Sequence, residues 1–426
     1  MDIGFAQQCI TPALPLRLAG YGNERIAEAV LDDLFVKALV YRRENEIYGI
    51  LAYDLIAVDD LIISELKAGM EELQLKQENF LFTATHTHSG PGGALLTKEG
   101  LLKPSIHIFI ETNPDLAAYI AGKSLQALQE ALQNCKKTVI SYAKSTLANV
   151  GDNRNCRDFK GNQDIAAAFL KQEDGTKAII LHYACHPTVM TCENKKISAD
   201  FPGAIAACMK QHGYDMCMYL NGSCGDISTR FSRKSRTGDE RMRYGHIFEE
   251  KLLEMERCAV QAEIRDFAIA HEVFRLELKQ PDRMENAIER LKACEQRLNE
   301  AKQNGISGSD LRVLESHKEG AQANLSLAQN PYPITACDIP VVLVKINQHI
   351  LVCVPGELFS ELSNPLQSEQ VHFIGYTNGY VGYFADEYAY DSFCYEALSS
   401  PFQKGQSEKL MQFLEQTIQT FLRKEN

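Results

Sequence analysis

The stretch Lys177–Ala184 (KAIILHYA) is apolar at nearly every position and runs directly into Cys185-His186-Pro187. A strand with one wet face alternates apolar and polar residues, whereas a near-continuous run needs cover on both faces. The segment therefore belongs in the middle of a layered sheet, and it ends near Pro187, which cannot continue a ladder. Runs of the same size recur at Leu34–Tyr41, Ile47–Ile56, Phe80–Thr85, Met216–Leu220, Pro340–Ile346 and His349–Val354. Helical patterns fall between them: Asp59–Leu73, Pro114–Cys135, Phe201–His212 with Pro202 in its first turn, and Gln406–Arg423. Charged Ser232–Glu249 reads as the start of another helix. Strands alternating with helices predict an α/β fold of mixed sheets flanked by helices.

Met284–Asn330 differs in character. It is charged, rich in Ala, Glu, Lys, Gln and Leu, and broken by Asn304-Gly305 through Gly308. The pattern predicts two antiparallel helices, a hairpin inserted at 284–330 within one domain that spans 1–426. Its plain reading is a surface insertion without a chemical role, because loops tolerate insertions cheaply. A lid or a dimerisation arm is the other reading.

The formal charge of −12 argues against a nucleic-acid partner, which would call for a basic face. No stretch approaches the length of apolar chain that spans a bilayer, so no integral membrane segment is expected. The opening Met-Asp-Ile-Gly-Phe-Ala has no basic region ahead of an apolar run, unlike a secretory signal. The thirteen cysteines are scattered, with no Cys-x-x-Cys pair. Together these point to reduced thiols and a cytoplasmic location.

The sharpest local feature is Thr85-His86-Thr87-His88-Ser89-Gly90-Pro91-Gly92-Gly93. On an extended segment, His86 and His88 project to the same side, as a pair of metal ligands or as histidines bonded within the core. His186 stands at the end of the second buried strand, where α/β clefts form. Taken alone, it reads as a structural histidine. Glu357, in Val354-Pro355-Gly356-Glu357, follows a third strand; from its local sequence, capping the next helix is the stronger reading. Five tyrosines fall in the sixteen residues from Tyr380 to Tyr395, both included. Asn221–Ser228 is a polar turn without the Gly-x-Ser-x-Gly elbow, and no Walker A or Gly-x-Gly-x-x-Gly sequence supports a nucleotide.

In combination and in this order, these segments resemble the neutral/alkaline, non-lysosomal ceramidase family. The resemblance runs from Ile3-Gly4-Phe5-Ala6 and Ala19-Gly20-Tyr21 to about Glu396. It rests above all on Thr85–Gly93, with His186-Pro187-Thr188, Gly225-Asp226-Ile227-Ser228, Pro355-Gly356-Glu357 and the Tyr383 to Tyr395 spacing in support. It implies a zinc-dependent amidohydrolase that cleaves the linear amide of a small-molecule N-acyl substrate. The implied zinc ligands are His86, His186, Glu357 and Tyr383. His88 and Tyr395 are implied to bind and polarise the substrate, and Arg154, with Arg157 as the competitor, to be the active-site arginine. Ser228 matches a serine read in the family as a nucleophile; zinc-activated water is the preferred nucleophile here, since zinc makes water acidic enough near neutral pH without an activated serine. A metallo-esterase and a non-catalytic acyl- or lipid-binding scaffold are the alternatives.

Two departures stand out. The family's Gly-Asp-Val-Ser-Pro-Asn becomes Gly225-Asp226-Ile227-Ser228-Thr229-Arg230. The family's C-terminal β-sandwich has no counterpart here, so the expectation is a member with the catalytic domain only. A soluble N-acyl compound then fits better than ceramide.

Overall fold

A computed structural model describes residues 1–96, 110–155, 159 and 161–423. Arg157, the competitor to Arg154, lies outside the described residues. The fold is mixed α/β, in layers. A nine-stranded sheet runs in the order Met216–Asn221, Lys177–Tyr183, Asp164–Gln172, Lys136–Thr146, Asp2–Cys9, Phe35–Arg43, Glu46–Tyr53, Phe80–Ala84, with Val260–Ala262 added beside Lys136–Thr146. Its interior pairs are antiparallel. The outermost pair at each end is parallel: Lys177–Tyr183 with Met216–Asn221, and Glu46–Tyr53 with Phe80–Ala84.

The covered strand behaves as its composition demands. Ile179, Leu181 and Tyr183 point to a helical layer, where Phe201 and Ile205 of helix Asp200–Lys210 and Tyr244 and Phe248 of helix Gly238–Cys258 meet them. Helices Asp60–Glu72 and Pro114–Gln133 cover the other half of that face through Ile62, Leu66, Ile120 and Leu128. The opposite face carries Ile3, Leu39, Ala178 and Met218 against Val342, Val344 and Ile374 of a second sheet. That sheet holds Phe267–Glu277, Ala336–Ile346, His349–Cys353 and Val371–Ile374, and helix Gln406–Arg423 packs Leu410 and Leu414 on its outer side. An apolar cavity of about 830 Å³ lies between the sheets, with His182, His349 and His372 among its walls.

The inserted hairpin is present as helices Met284–Gln303 and Gly308–Gln329, between the antiparallel partners Phe267–Glu277 and Ala336–Ile346. Its second helix lies on the short helix Tyr395–Ser399. Gly320 permits that approach, since a Cβ there would sit 2.9 Å from the Cα of Tyr395. The charged segment begins its helix at Gly238 rather than Ser232: Thr237 caps the amide of Glu240, leaving 232–237 as loop. The twelve described cysteines are all free thiols. No helix among the described residues is long and apolar enough to cross a membrane.

One buried ion pair ties this frame to the loops that follow it. Lys37 Nζ meets Asp54 Oδ2 at 2.9 Å, with both side chains almost fully buried. Asp54 Oδ2 also accepts from the Phe35 amide. Removing one partner of such a pair strands the other charge, so Lys37→Met is expected to lower stability by about 3–5 kcal/mol. Urea unfolding followed by circular dichroism measures it; a loss below about 1 kcal/mol would show that Asp54 finds other compensation.

Candidate metal centre

Three strand ends deliver the site. Beyond Phe80–Ala84 the chain stays pinned to its neighbour, because Thr85 donates to Tyr53 O and His86 to Leu55 O. The segment is not extended, as its sequence suggested: His86 has φ +68°, a left-handed conformation that costs a non-glycine residue about 1–3 kcal/mol. The two imidazoles nonetheless converge, with His88 Nε2 3.2 Å from His86 Nε2. His186 follows Lys177–Tyr183 and donates its amide to Ile227 O. Glu357 opens the two-residue strand Glu357–Leu358, paired in parallel with Tyr383–Phe384. The capping reading of Glu357 is therefore wrong: its carboxylate faces the imidazoles, 2.9 Å from His186 Nε2 and 3.4 Å from His86 Nε2.

Asn221 joins these loops and escaped the sequence reading, which saw only a polar turn. Fully buried at the end of Met216–Asn221, it donates through Nδ2 to Thr85 O and accepts through Oδ1 from the Cys185 amide. Its carbonyl takes the Gly375 amide as well. A buried Asn closing a strand that leads into Gly-Ser-Cys-Gly was the available signal.

The hydrogen bonds fix the tautomers. His86 Nδ1 lies 2.6 Å from Ile56 O, and His186 Nδ1 lies 2.6 Å from Cys224 O and 3.0 Å from Ile227 O. A carbonyl only accepts, so both Nδ1 atoms carry a proton, and both Nε2 atoms face inward. Burial, with Arg154 nearby, lowers His186 to about 4. Burial, reinforced by His86 and His186, holds His88 well below the usual imidazole range. Burial alone would raise Glu357, yet the imidazoles of His86 and His186 outweigh it and keep the carboxyl well below its ordinary value. The Nε2 atoms of His86 and His186 thus converge on the Glu357 carboxylate in a dry site. Imidazole nitrogen and carboxylate oxygen facing one common point are the donors a transition-metal cation takes. His86, His88 and His186 together have the spacing of a metal-binding group. Donation of the outer ring nitrogen to a backbone carbonyl is how metal-bound histidines are ordinarily held.

Around this centre lies a cavity of about 330 Å³ whose walls include Tyr21, His88, Arg154, Ser228, Tyr383 and Tyr395. Tyr383 Oη accepts from Arg154 (3.1 Å), and its ring meets that of Tyr395 edge-on at 5.8 Å. Arg154 Nε pairs with Glu396 Oε1 at 2.6 Å, both buried. Tyr380, which the sequence reading did not separate from its neighbours, donates its hydroxyl to Glu357 Oε1. Ser228 Oγ accepts from the Arg230 amide and, among the described residues, pairs with no imidazole or carboxylate.

Residues 1–222 match the family model described as neutral/alkaline non-lysosomal ceramidase, N-terminal. The chain belongs to the neutral/alkaline non-lysosomal ceramidase family. It is 24% identical over 233 residues to a neutral ceramidase of Oryza sativa subsp. japonica. That alignment takes in 48% of this chain and 28% of the rice protein, so the chain spans well under two thirds of that relative. Two solved structures share the fold. A ceramidase complexed with C2 superposes with TM-score 0.72 at 16% identity, over 96% of this chain and 73% of the other. Neutral ceramidase from Pseudomonas aeruginosa gives 0.69 at 17%, over 97% and 73%.

Lys279 secures the helix that carries Tyr395 and Glu396. Its Nζ donates to Ala397 O (2.6 Å) and Leu398 O (3.2 Å), and burial lowers its pKa to about 7. Between that value and the ordinary 10.5, the unfolded chain holds a proton at this lysine that the folded chain does not. Unfolding then takes up a proton and becomes less favourable as pH rises. The stability of the native chain relative to Lys279→Met is therefore expected to climb from pH 7 towards 10. A flat difference across paired thermal melts would refute the depressed lysine.

Proposed function

We propose that the chain is a zinc-dependent hydrolase that cleaves the amide bond of an N-acyl compound. The observation that carries this reading is the convergence of the Nε2 atoms of His86 and His186, their Nδ1 atoms held by carbonyls, on the buried Glu357 carboxylate. The donor set fits zinc, which takes nitrogen and carboxylate oxygen ligands and leaves a position open in catalytic sites. His86, His186 and Glu357 would hold the ion. Tyr383 completes the set implied by the resemblance; its oxygen accepts from Arg154, while burial and Glu357 hold its hydroxyl well above the usual range, so a bound cation would have to displace that proton. Bound there, zinc would supply Lewis acidity, polarising the amide carbonyl and making water a nucleophile near neutral pH.

The protein's own groups supply the rest. Burial, together with Glu319 and Glu357, holds the Tyr395 hydroxyl well above its usual pKa, so it stays protonated and donates to the oxygen that gains charge during attack. His88, neutral near pH 7 and lining the cavity, accepts the proton of the attacking water and returns it to the departing amine. Tyr380 and the backbone carbonyls of Ile56, Cys224 and Ile227 keep the carboxylate and imidazoles aligned. The isolation of Ser228 Oγ from any described base supports water over serine as nucleophile. Family membership supports an amide-cleaving chemistry, and the free thiols support a reducing, cytoplasmic setting.

The test is metal content by elemental mass spectrometry beside hydrolysis of a generic N-acyl substrate. About one zinc per chain is expected, with loss of both zinc and turnover in His86→Ala and loss of turnover on chelation. Full zinc and full hydrolysis in His86→Ala would sink the ligand assignment. Hydrolysis indifferent to chelation would return the role of nucleophile to Ser228, and zinc without turnover would point to a binding scaffold.

A further inference from the structure

We propose that the substrate carries an anionic group, a carboxylate or a phosphate, which docks on the guanidinium groups of Arg230 and Arg233 in the wall of the cavity. The inference deepens the hydrolase reading and rests on it.

The chain carries a formal charge of −12, yet five arginines line this one cavity: Arg154, Arg230, Arg233, Arg236 and Arg312. Three of them are paired. Arg154 meets Glu396, Arg236 meets Glu193 at 3.0 Å, and Arg312 makes a two-pronged contact with Glu319 at 2.7 and 2.8 Å. The other two reach only neutral oxygens. Arg230 donates to Arg154 O (3.2 Å) and Ser316 Oγ (3.3 Å), and Arg233 to Thr188 O (2.9 Å). Among the described residues no carboxylate forms an ion pair with either.

Arg230 is also buried, with 8% of its surface exposed. Burial, followed by the repulsion of Arg154 and Arg312, pulls its pKa down to about 9. Glu396, the acid that acts on Arg230 from a distance, is already paired with Arg154, and a buried guanidinium with no ion pair of its own is costly to keep unless something arrives to neutralise it. The planar fork of arginine matches the oxygens of a carboxylate or phosphate. A substrate whose polar groups are all neutral leaves both charges without partners. Ser316, which holds Arg230, comes from the second helix of the inserted hairpin, so the hairpin helps build the arrangement.

The experiment compares matched substrates on the zinc-loaded enzyme. N-octanoylethanolamine is the neutral member. N-octanoylglycine carries a carboxylate on the amine side, O-phospho-N-octanoylethanolamine a phosphate there, and N-succinyl-octylamine a carboxylate on the acyl side. At least one acid is expected to exceed the neutral compound by about tenfold or more in kcat/KM, the worth of one charge-assisted contact. Whether carboxylate or phosphate leads identifies the group. Arg230→Gln and Arg233→Gln should each collapse the acid-to-neutral ratio, with Arg230→Lys retaining part of it. A ratio cancels general damage to the fold. No preference for any acid, or a preference untouched by both substitutions, overturns the proposal. If none of the four compounds turns over, the hydrolase reading fails separately. Calorimetric binding of the same compounds then decides the anion site: acids favoured by the native chain and not by Arg230→Gln support it, and equal or absent binding overturns it.

Discussion

Everything at the centre of this molecule is arranged around one buried convergence of polar groups. Two imidazoles spend their outer nitrogens on backbone carbonyls and so turn their Nε2 atoms inward, onto a carboxylate in a dry pocket. Neither side can relax. His86 is held in a left-handed backbone conformation by its amide bond to Leu55 and its ring bond to Ile56. His186 is held by two carbonyls at once. Glu357 is clamped by Tyr380 and by its strand pairing with Tyr383. Strain kept in place by surrounding structure is the expected state of a site preorganised for a cation.

The layered fold explains why these groups can be so constrained. His86 and His186 leave the two parallel margins of the large sheet, on strands that lie far apart in sheet order. Glu357 leaves the neighbouring sheet. Asn221 bridges the gap by bonding the loops of both histidines while its carbonyl holds Gly375, just past the last strand of the second sheet. The apolar run that demanded cover on both faces therefore places its terminal histidine where three layers meet.

Much of this was legible in the residues. The strand-sized runs, the hairpin and the helix Pro114–Gln133 appear where periodicity placed them. Long strands such as Lys136–Thr146 and Phe267–Glu277 were not singled out, because half-exposed positions dilute their apolar signal. Glu357 shows the limit of local reading: capping and ligation ask for the same residue in the same turn, and only the partner imidazoles, 171 positions away for His186, decide between them. The left-handed His86 was equally hidden, since nothing in His-x-His announces a break from extended backbone. The hairpin read as a plain surface insertion, yet its second helix forms part of the cavity wall and packs on the helix of Tyr395. Its charged composition concealed that role, because Arg312 and Ser316 look like solvated surface until the cavity is seen.

The charge of the pocket follows from the same facts. Arg154 is neutralised by Glu396, so Glu357 stands as the uncompensated anion beside the imidazoles. A divalent cation there would more than cancel it, and Arg230 and Arg233 add positive charge in the cavity wall. With such a cation the interior would have a sign opposite to that of the chain as a whole. Low-dielectric walls concentrate such a field, so in the proposed hydrolysis charge developing on an attacked carbonyl oxygen would be stabilised where it forms. The same field draws in ligands that already carry negative charge. Both consequences depend on burial, nearly complete for Arg230 and partial for Arg233: moved into water, their charges would be screened beyond about 8 Å at physiological salt and weakened at every distance by the higher dielectric.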